Sequence, residues 1–147
     1  MAKEIERKFL VKDLSFINLA TRKVNIVQGY LSRRVESTVR VRIFGDSGKL
    51  TVKGANCGMV RSEWEYDIPE ADAREMLSQC AEGNVIEKTR YIVPFAGFVW
   101  EVDEFHGGRE GLIVAEIELP DAETQFPLPV FIGEEVTGDA AYYNSNL

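Results

Sequence analysis

Polar and apolar residues alternate along most of this chain. Segments near residues 3–11, 24–34, 38–44, 49–54, 59–68, 85–93, 98–105 and 112–119 run with period two, the repeat of a strand whose successive side chains point to opposite faces. The gaps between them hold turn chemistry: Gly45-Asp46-Ser47-Gly48, the stretch from Gly54 to Gly58, Gly97, and Gly107-Gly108. The pattern predicts about eight strands in an antiparallel meander. Helical signals are fewer. Pro69 at a first helical position, followed by early acids and good helix formers, predicts a helix over 70–80. A short helix is expected near 13–20 and a capped one after Gly138-Asp139, while Pro120, Pro127 and Pro129 mark 120–134 as a connecting loop. The fold class is α+β, with enough strands to close a barrel.

One face of the alternation is charged on nearly every strand. Glu4, Glu6 and Lys8 oppose Ile5, Arg7 and Phe9; Arg40 and Arg42 oppose Val39, Val41 and Ile43. Arg61, Glu63 and Glu65 oppose Trp64 and Tyr66, and Lys88 and Arg90 oppose Tyr91 and Val93. Glu101 and Asp103 oppose Trp100 and Val102, and Glu116 and Glu118 oppose Ala115 and Ile117, with Lys53 adding a further cation. An ordinary half-solvated sheet explains any one such strand. It explains the set less well, because solvated faces carry Thr, Ser and Gln in mixture, whereas these carry almost only carboxylates, Arg and Lys. Turned inward, the charged faces make a wet lumen that demands a charged ligand, since unpaired buried charge is costly.

Composition narrows the ligand. The 147 residues carry a net charge of −7 and 45% apolar positions, which suits one self-sufficient domain over 1–147 and argues against general nucleic-acid binding. No apolar run approaches the ~18 residues of a membrane span, and MAKEIERKFLV places charges where a signal peptide is apolar, so a cytoplasmic protein without membrane partners is expected. Cys57 and Cys80 have no CxxC spacing and read as inert thiols, and His106 as a surface loop residue. With one His, any metal is held by carboxylates, which selects a hard cation, Mg2+ or Mn2+.

Arg and Lys suit an anion with many oxygens, above all a polyphosphate. Carboxylates beside such an anion make sense with a divalent cation between them, and pairs at i and i+2 on a strand aim two ligands at one point. The combination reads as metal-assisted phosphoryl transfer. No GxxxxGK[ST] loop is present, so side chains must do the work of backbone amides.

Glu4-Ile5-Glu6-Arg7-Lys8 resembles the ExExK signature of the CYTH superfamily, the triphosphate tunnel metalloenzymes. Gln28-Gly29-Tyr30-Leu31, Val39-Arg40-Val41-Arg42, Thr51-Val52-Lys53-Gly54, Glu63-Trp64-Glu65, Lys88-Thr89-Arg90-Tyr91, the runs 100–105 and 112–118, and the tail 135–139 with Tyr143-Asn144 resemble that family's motifs in order. The resemblance implies a closed eight-stranded antiparallel tunnel, often homodimeric, that acts on triphosphates with Mg2+ or Mn2+. It implies Glu4, Glu6, Glu116 and Glu118 as metal ligands, with Asp103 a further one, and Lys8, Arg40, Arg42, Lys53, Lys88 and Arg90 as phosphate contacts. Arg61 joins that set from the lumen pattern. Glu63 and Glu65 would orient basic groups or a water, and Tyr30 with Lys53 would handle a proton. Ala140-Ala141 departs from relatives that carry a basic residue before the terminal stretch.

The reading that follows is a metal-dependent triphosphatase preferring inorganic triphosphate. Its rivals are an adenylate cyclase, a nucleoside or thiamine triphosphatase, and a non-catalytic polyphosphate-binding barrel. Preference for a bare phosphate chain rests on the expectation that no aromatic faces the lumen, with Trp64, Tyr66, Tyr91 and Trp100 packing outside under helices; Lys3 and Arg7 are expected to be surface charges.

Overall fold

A computed structural model describes residues 2–143 and 147, with side chains from residue 4. Met1 and Asn144 lie outside the described residues, as does the Lys3 side chain. In chain order the elements are β1 (Ala2–Val11), α1 (Phe16–Leu19), β2 (Arg22–Ser32), β3 (Ser37–Phe44), β4 (Ser47–Gly54) and β5 (Val60–Ile68). There follow α2 (Glu70–Cys80), β6 (Glu82–Phe95), β7 (Phe98–Phe105), β8 (Ile113–Glu118) and β9 (Ile132–Glu135). All pairings are antiparallel, in the order β5-β4-β3-β2-β6-β7-β8-β1, and β5 pairs back onto β1 to close an eight-stranded barrel. The α+β expectation holds.

The apolar side of the alternation packs outside the barrel. Phe9, Trp100, Val102, Ala115 and Ile117 form one core beneath α1 and the 120–131 segment, where Phe16 stacks edge-on against Tyr91 at 5.2 Å and Phe126 against Trp100 at 5.9 Å. Val41 and Ile43 form a second core beneath Ala73 and Leu77 of α2. That helix lies close because Gly29 has no side chain; a Cβ there would stand 2.8 Å from Leu77 Cδ2.

Four expectations need correction. The segment 120–134 is not all loop: Ile132–Glu135 adds a ninth strand to the β1 edge that β5 covers only over residues 2–5. Its Ile-Gly-Glu-Glu sequence is too short to show alternation, and Gly133 lets the strand approach the Leu10 carbonyl. Tyr66 is 61% exposed, since α2 covers β2, β3 and β4 and leaves the outside of β5 to solvent. Pro69 caps α2 from outside instead of opening it, and the terminal helix is a single 3-10 turn over Ala140–Tyr142, with Asp139 accepting from the Ala141 amide at 3.0 Å. His106 is exposed, as anticipated, and Cys57 and Cys80 are free and exposed.

Candidate active site

The charged faces point inward and line a cavity of about 240 Å³. Its walls differ in sign. Pairing of β1 with β8 sets Glu6 opposite Glu118 and Lys8 opposite Glu116, and Glu4 lies next to them on β1, so four carboxylates share one wall. The ring order puts β3 on the far side, where Arg40 and Arg42 stand. Arg90 of β6, Lys53 of β4, and Arg61, Glu63 and Glu65 of β5 fill the flanks, with Glu101 of β7.

The acidic wall is crowded. Burial, then the charges of Glu116 and Glu4, push the Glu6 carboxyl well above the usual range. Burial alone would also raise Glu116, but Lys8 and a hydrogen bond from Glu6 outweigh it and hold that carboxyl low. Glu6 therefore carries the proton that the pair shares. Burial, Glu4 and Glu101 raise Glu118, and burial with Glu4 raises Glu63 to about 7. Two lysines temper the wall: Lys53 Nζ lies 2.8 Å from Glu4 Oε1 and 3.5 Å from Glu63, and Lys8 Nζ lies 3.4 Å from Glu116 while donating to the Tyr142 carbonyl at 2.9 Å.

The basic wall lacks a matching anion. Arg40 and Arg42 are buried, and their nearest carboxylate, Glu65, is 3.9 and 3.8 Å away. Burial and the neighbouring cations Arg40 and Arg90 push Arg42 down to about 10. Such a group gains from any oxyanion brought beside it.

Asp103 and Lys88 depart from expectation: neither reaches the cavity. Asp103 sits behind the wall, where Arg90 grips both oxygens at 2.8 and 2.9 Å and Lys88 Nζ approaches to 2.7 Å. The two cations outweigh burial and hold its carboxyl far below the usual range. With both oxygens held by these cations, Asp103 fixes the guanidinium of Arg90, which lines the lumen. Nor is the lumen charged throughout. Phe105 and Val114 share the parity of Asp103 and Glu116, and with Ile86 and Leu147 they close the end beyond Lys88 with an apolar plug. Tyr30 also faces inward, with the Arg33 guanidinium 5.1 Å from its ring centroid. The Lys53 ammonium donates to Glu4 rather than to the Tyr30 hydroxyl. Arg61 lines the cavity while donating to the Gly54 carbonyl at 3.1 Å, which ties the β4–β5 connection to the rim.

Sequence reasoning left out Thr51, whose Oγ1 donates to Glu65 at 3.0 Å, and the rim residues Thr137 and Tyr143. Thr51 shares the parity of Lys53, so its place was readable. Thr137 is placed by accepting from the Lys8 amide at 2.9 Å across the seam between β5 and β9, a long-range contact that no local pattern announces.

The donor set suits a hard divalent cation: oxygens only, from carboxylates so crowded that one retains its proton. Among the described residues no three acidic, His or Cys side chains converge as a preformed cage. Lys53 and Lys8 occupy Glu4 and Glu116, and a cation would replace those contacts and the shared proton.

The CYTH domain model matches residues 2–143. The chain is 52% identical to an inorganic triphosphatase of Acetivibrio thermocellus over all of its own length and 94% of that protein. It is 38% identical to an inorganic triphosphatase of Nitrosomonas europaea, over 98% of this chain and 95% of the relative. The crystal structure of an inorganic triphosphatase superimposes with a TM-score of 0.70 at 33% identity, covering 97% of this chain and 95% of that one. With signature motifs, closed barrel and full-length similarity together in one chain, this protein belongs to the CYTH domain family.

Proposed function

We propose that this chain, as one tunnel domain acting in the cytoplasm, hydrolyses triphosphate, with inorganic tripolyphosphate as its substrate and Mg2+ or Mn2+ as its metal. The observation that carries the reading is the pair of opposed walls, four carboxylates on β1 and β8 facing Arg40 and Arg42 on β3. A pure anion binder would gain nothing from the acidic wall. Glu4, Glu6, Glu116 and Glu118 would hold the metal, which when bound polarises phosphoryl oxygens and offsets developing charge.

Arg40, Arg42 and Arg90 grip phosphate oxygens, and Asp103 fixes the Arg90 guanidinium for that task. Lys8 and Lys53, released from Glu116 and Glu4, neutralise the chain from the other side. Glu65, through Thr51 and the two arginines, keeps the basic wall in place. Water adds to the terminal phosphorus and the bond to the bridging oxygen breaks. Pyrophosphate leaves, and one proton is released, for which Glu63, poised near 7, is the acceptor in reach of Lys53. Tyr30 is a secondary candidate for moving that proton.

The inward aromatics do not favour a base. Contrary to the expectation that no aromatic faces the lumen, Tyr30 and the rim residue Tyr143 line it; but Tyr30 is covered by Arg33, the Tyr143 hydroxyl is tied to the Gly138 carbonyl at 3.3 Å, and Phe105 is sealed in the plug. Tripolyphosphate should therefore be cleaved with higher kcat/KM than ATP, GTP or thiamine triphosphate at equal Mg2+, without cyclic AMP from ATP. A panel in which ATP wins, or cyclic AMP is the main product, would favour the nucleotide readings.

A further inference from the structure

Among the described residues, six line the lumen without belonging to a strand: Asn56 and Gly58 of the β4–β5 connection, and Val136, Thr137, Gly138 and Tyr143 of the segment after β9. Strands form the walls of a barrel, so these residues stand across an end of it. β1 brings the two groups together. The Glu6 amide donates to the Met59 carbonyl at 2.9 Å, and the Val136 amide donates to the Lys8 carbonyl at 2.8 Å. Lys8 holds the segment after β9 twice more, through its own amide to Thr137 Oγ1 and its ammonium to the Tyr142 carbonyl, both at 2.9 Å. Gly138, at φ of 79°, turns the chain back, and the Tyr143 hydroxyl donates to the Gly138 carbonyl at 3.3 Å, which fixes the ring at the lumen.

Further along the same segment, Leu147 is buried in the plug with Ile86, Phe105 and Val114, and Arg109 donates to its carbonyl at 3.1 Å. Connection, segment and plug therefore cover one end together, and Lys8 and Thr38 beneath them are buried. The other end is open. β5 leads away from the connection to Glu65, and β7 and β8 lead away from Phe105 and Val114 to Glu101 and Glu118. There Glu118 is exposed, and the Glu101 and Glu65 side chains are 40% and 33% exposed.

A lumen closed at one end constrains what enters it. A phosphate chain comes in from the open end with one terminus leading, and that terminus stops at the cover. An unsubstituted terminal phosphoryl group presents only oxygens there, whereas an ester group on it must displace the cover. A substituent on the trailing terminus stays outside.

We propose that Tyr143 is a specificity-determining residue that closes the inner end of the lumen, so that the site takes phosphate chains with at least one unsubstituted terminal phosphoryl group and refuses chains esterified at both ends. The inference rests on the triphosphatase reading and adds which part of the substrate must be free.

The test is kcat/KM for tripolyphosphate, its monophenyl ester and its P1,P3-diphenyl ester at equal Mg2+, with products followed by 31P NMR, in wild type and in Tyr143→Ala. Wild type should cleave the monoester about a hundredfold better than the diester, within the range that steric exclusion from a pocket supplies. Tyr143→Ala should raise the diester-to-monoester ratio about tenfold, through a gain on the diester. Comparing variant with wild type cancels the charge lost with each ester. A wild type that cleaves both esters equally, one that refuses the monoester as well, or a folded Tyr143→Ala with the wild-type ratio overturns the proposal. Should Tyr143→Ala not fold, Tyr143→Leu, which keeps apolar bulk without the ring, carries the same comparison. These outcomes arise with tripolyphosphate being cleaved; a wild type that does not cleave it refutes the triphosphatase reading and this inference with it.

Discussion

Replacing Asp103 by Asn separates two roles for one buried carboxylate. The substitution keeps the shape and removes the charge that holds Arg90 at 2.8 and 2.9 Å and Lys88 at 2.7 Å. Removing one member of a buried ion pair costs about 3–5 kcal/mol. Lys88 can escape part of that cost by losing its proton, since burial already pushes it down to about 8 with Asp103 beside it. The lower end, about 3 kcal/mol, is therefore expected. At roughly 2–4 °C per kcal/mol for a chain of this size, Tm should fall by about 10 °C, read by circular dichroism. Steady-state kinetics give the second readout. Arg90 loses its clamp but keeps the Glu101 contact at 3.3 Å, so KM for tripolyphosphate should rise about tenfold, the loss expected of one misaimed charge-assisted contact. The Mg2+ concentration for half-maximal rate should not move. An unchanged Tm with a tenfold higher Mg2+ requirement would make Asp103 a metal ligand and refute the reasoning.

Other perturbations test the remaining parts. Arg40→Ala, Arg42→Ala and Arg90→Ala should each lower kcat/KM by roughly ten- to a thousandfold, whereas Arg7→Ala, which breaks the outer pair with Glu135 and the contacts with the Phe9 and Phe126 rings outside the barrel, should leave the kinetics unchanged; indistinguishable variants would mean the faces are misassigned. Metal-free stability should depend on pH in a set direction. Glu6, Glu63, Glu101 and Glu118 have folded-state values above their unfolded ones. The stability they contribute is complete below about pH 4.5 and is lost as pH rises through their folded values, near 7 for Glu63. Tm in EDTA should therefore fall by several degrees from pH 5.5 to 8, and Mg2+ should flatten the slope; a rising Tm would contradict the crowded wall. At the β6–β7 turn, Ala96 has φ of 52° beside Gly97 at 84°, the two positive values of a tight hairpin. Ala96→Gly should stabilise by about 0.5–1 kcal/mol in urea unfolding, because the left-handed cost to a non-glycine residue exceeds the added chain entropy.

Period-two alternation located all eight barrel strands, because burial on one face and charge on the other leave a local record in every strand. The same parity already held Phe105, Val114 and Thr51 on the inner face, and the apolar plug was readable from it. Attention to charge alone hid the plug. Asp103 is different. Its parity correctly put it inside, but whether a carboxylate faces open lumen or a pair of buried cations depends on depth along the barrel, which alternation does not encode. Short β9 and the placement of Thr137 were not legible, since both depend on where β5 stops covering β1.

The most direct test of the whole account is phosphate release from tripolyphosphate by wild type and by Glu6→Gln with Glu116→Gln, each with saturating Mg2+ and with EDTA. The account predicts rapid release of one phosphate per tripolyphosphate by wild type with Mg2+, none in EDTA, and none from the folded double variant in either condition. Release that persists in EDTA, or a double variant as active as wild type, would contradict it.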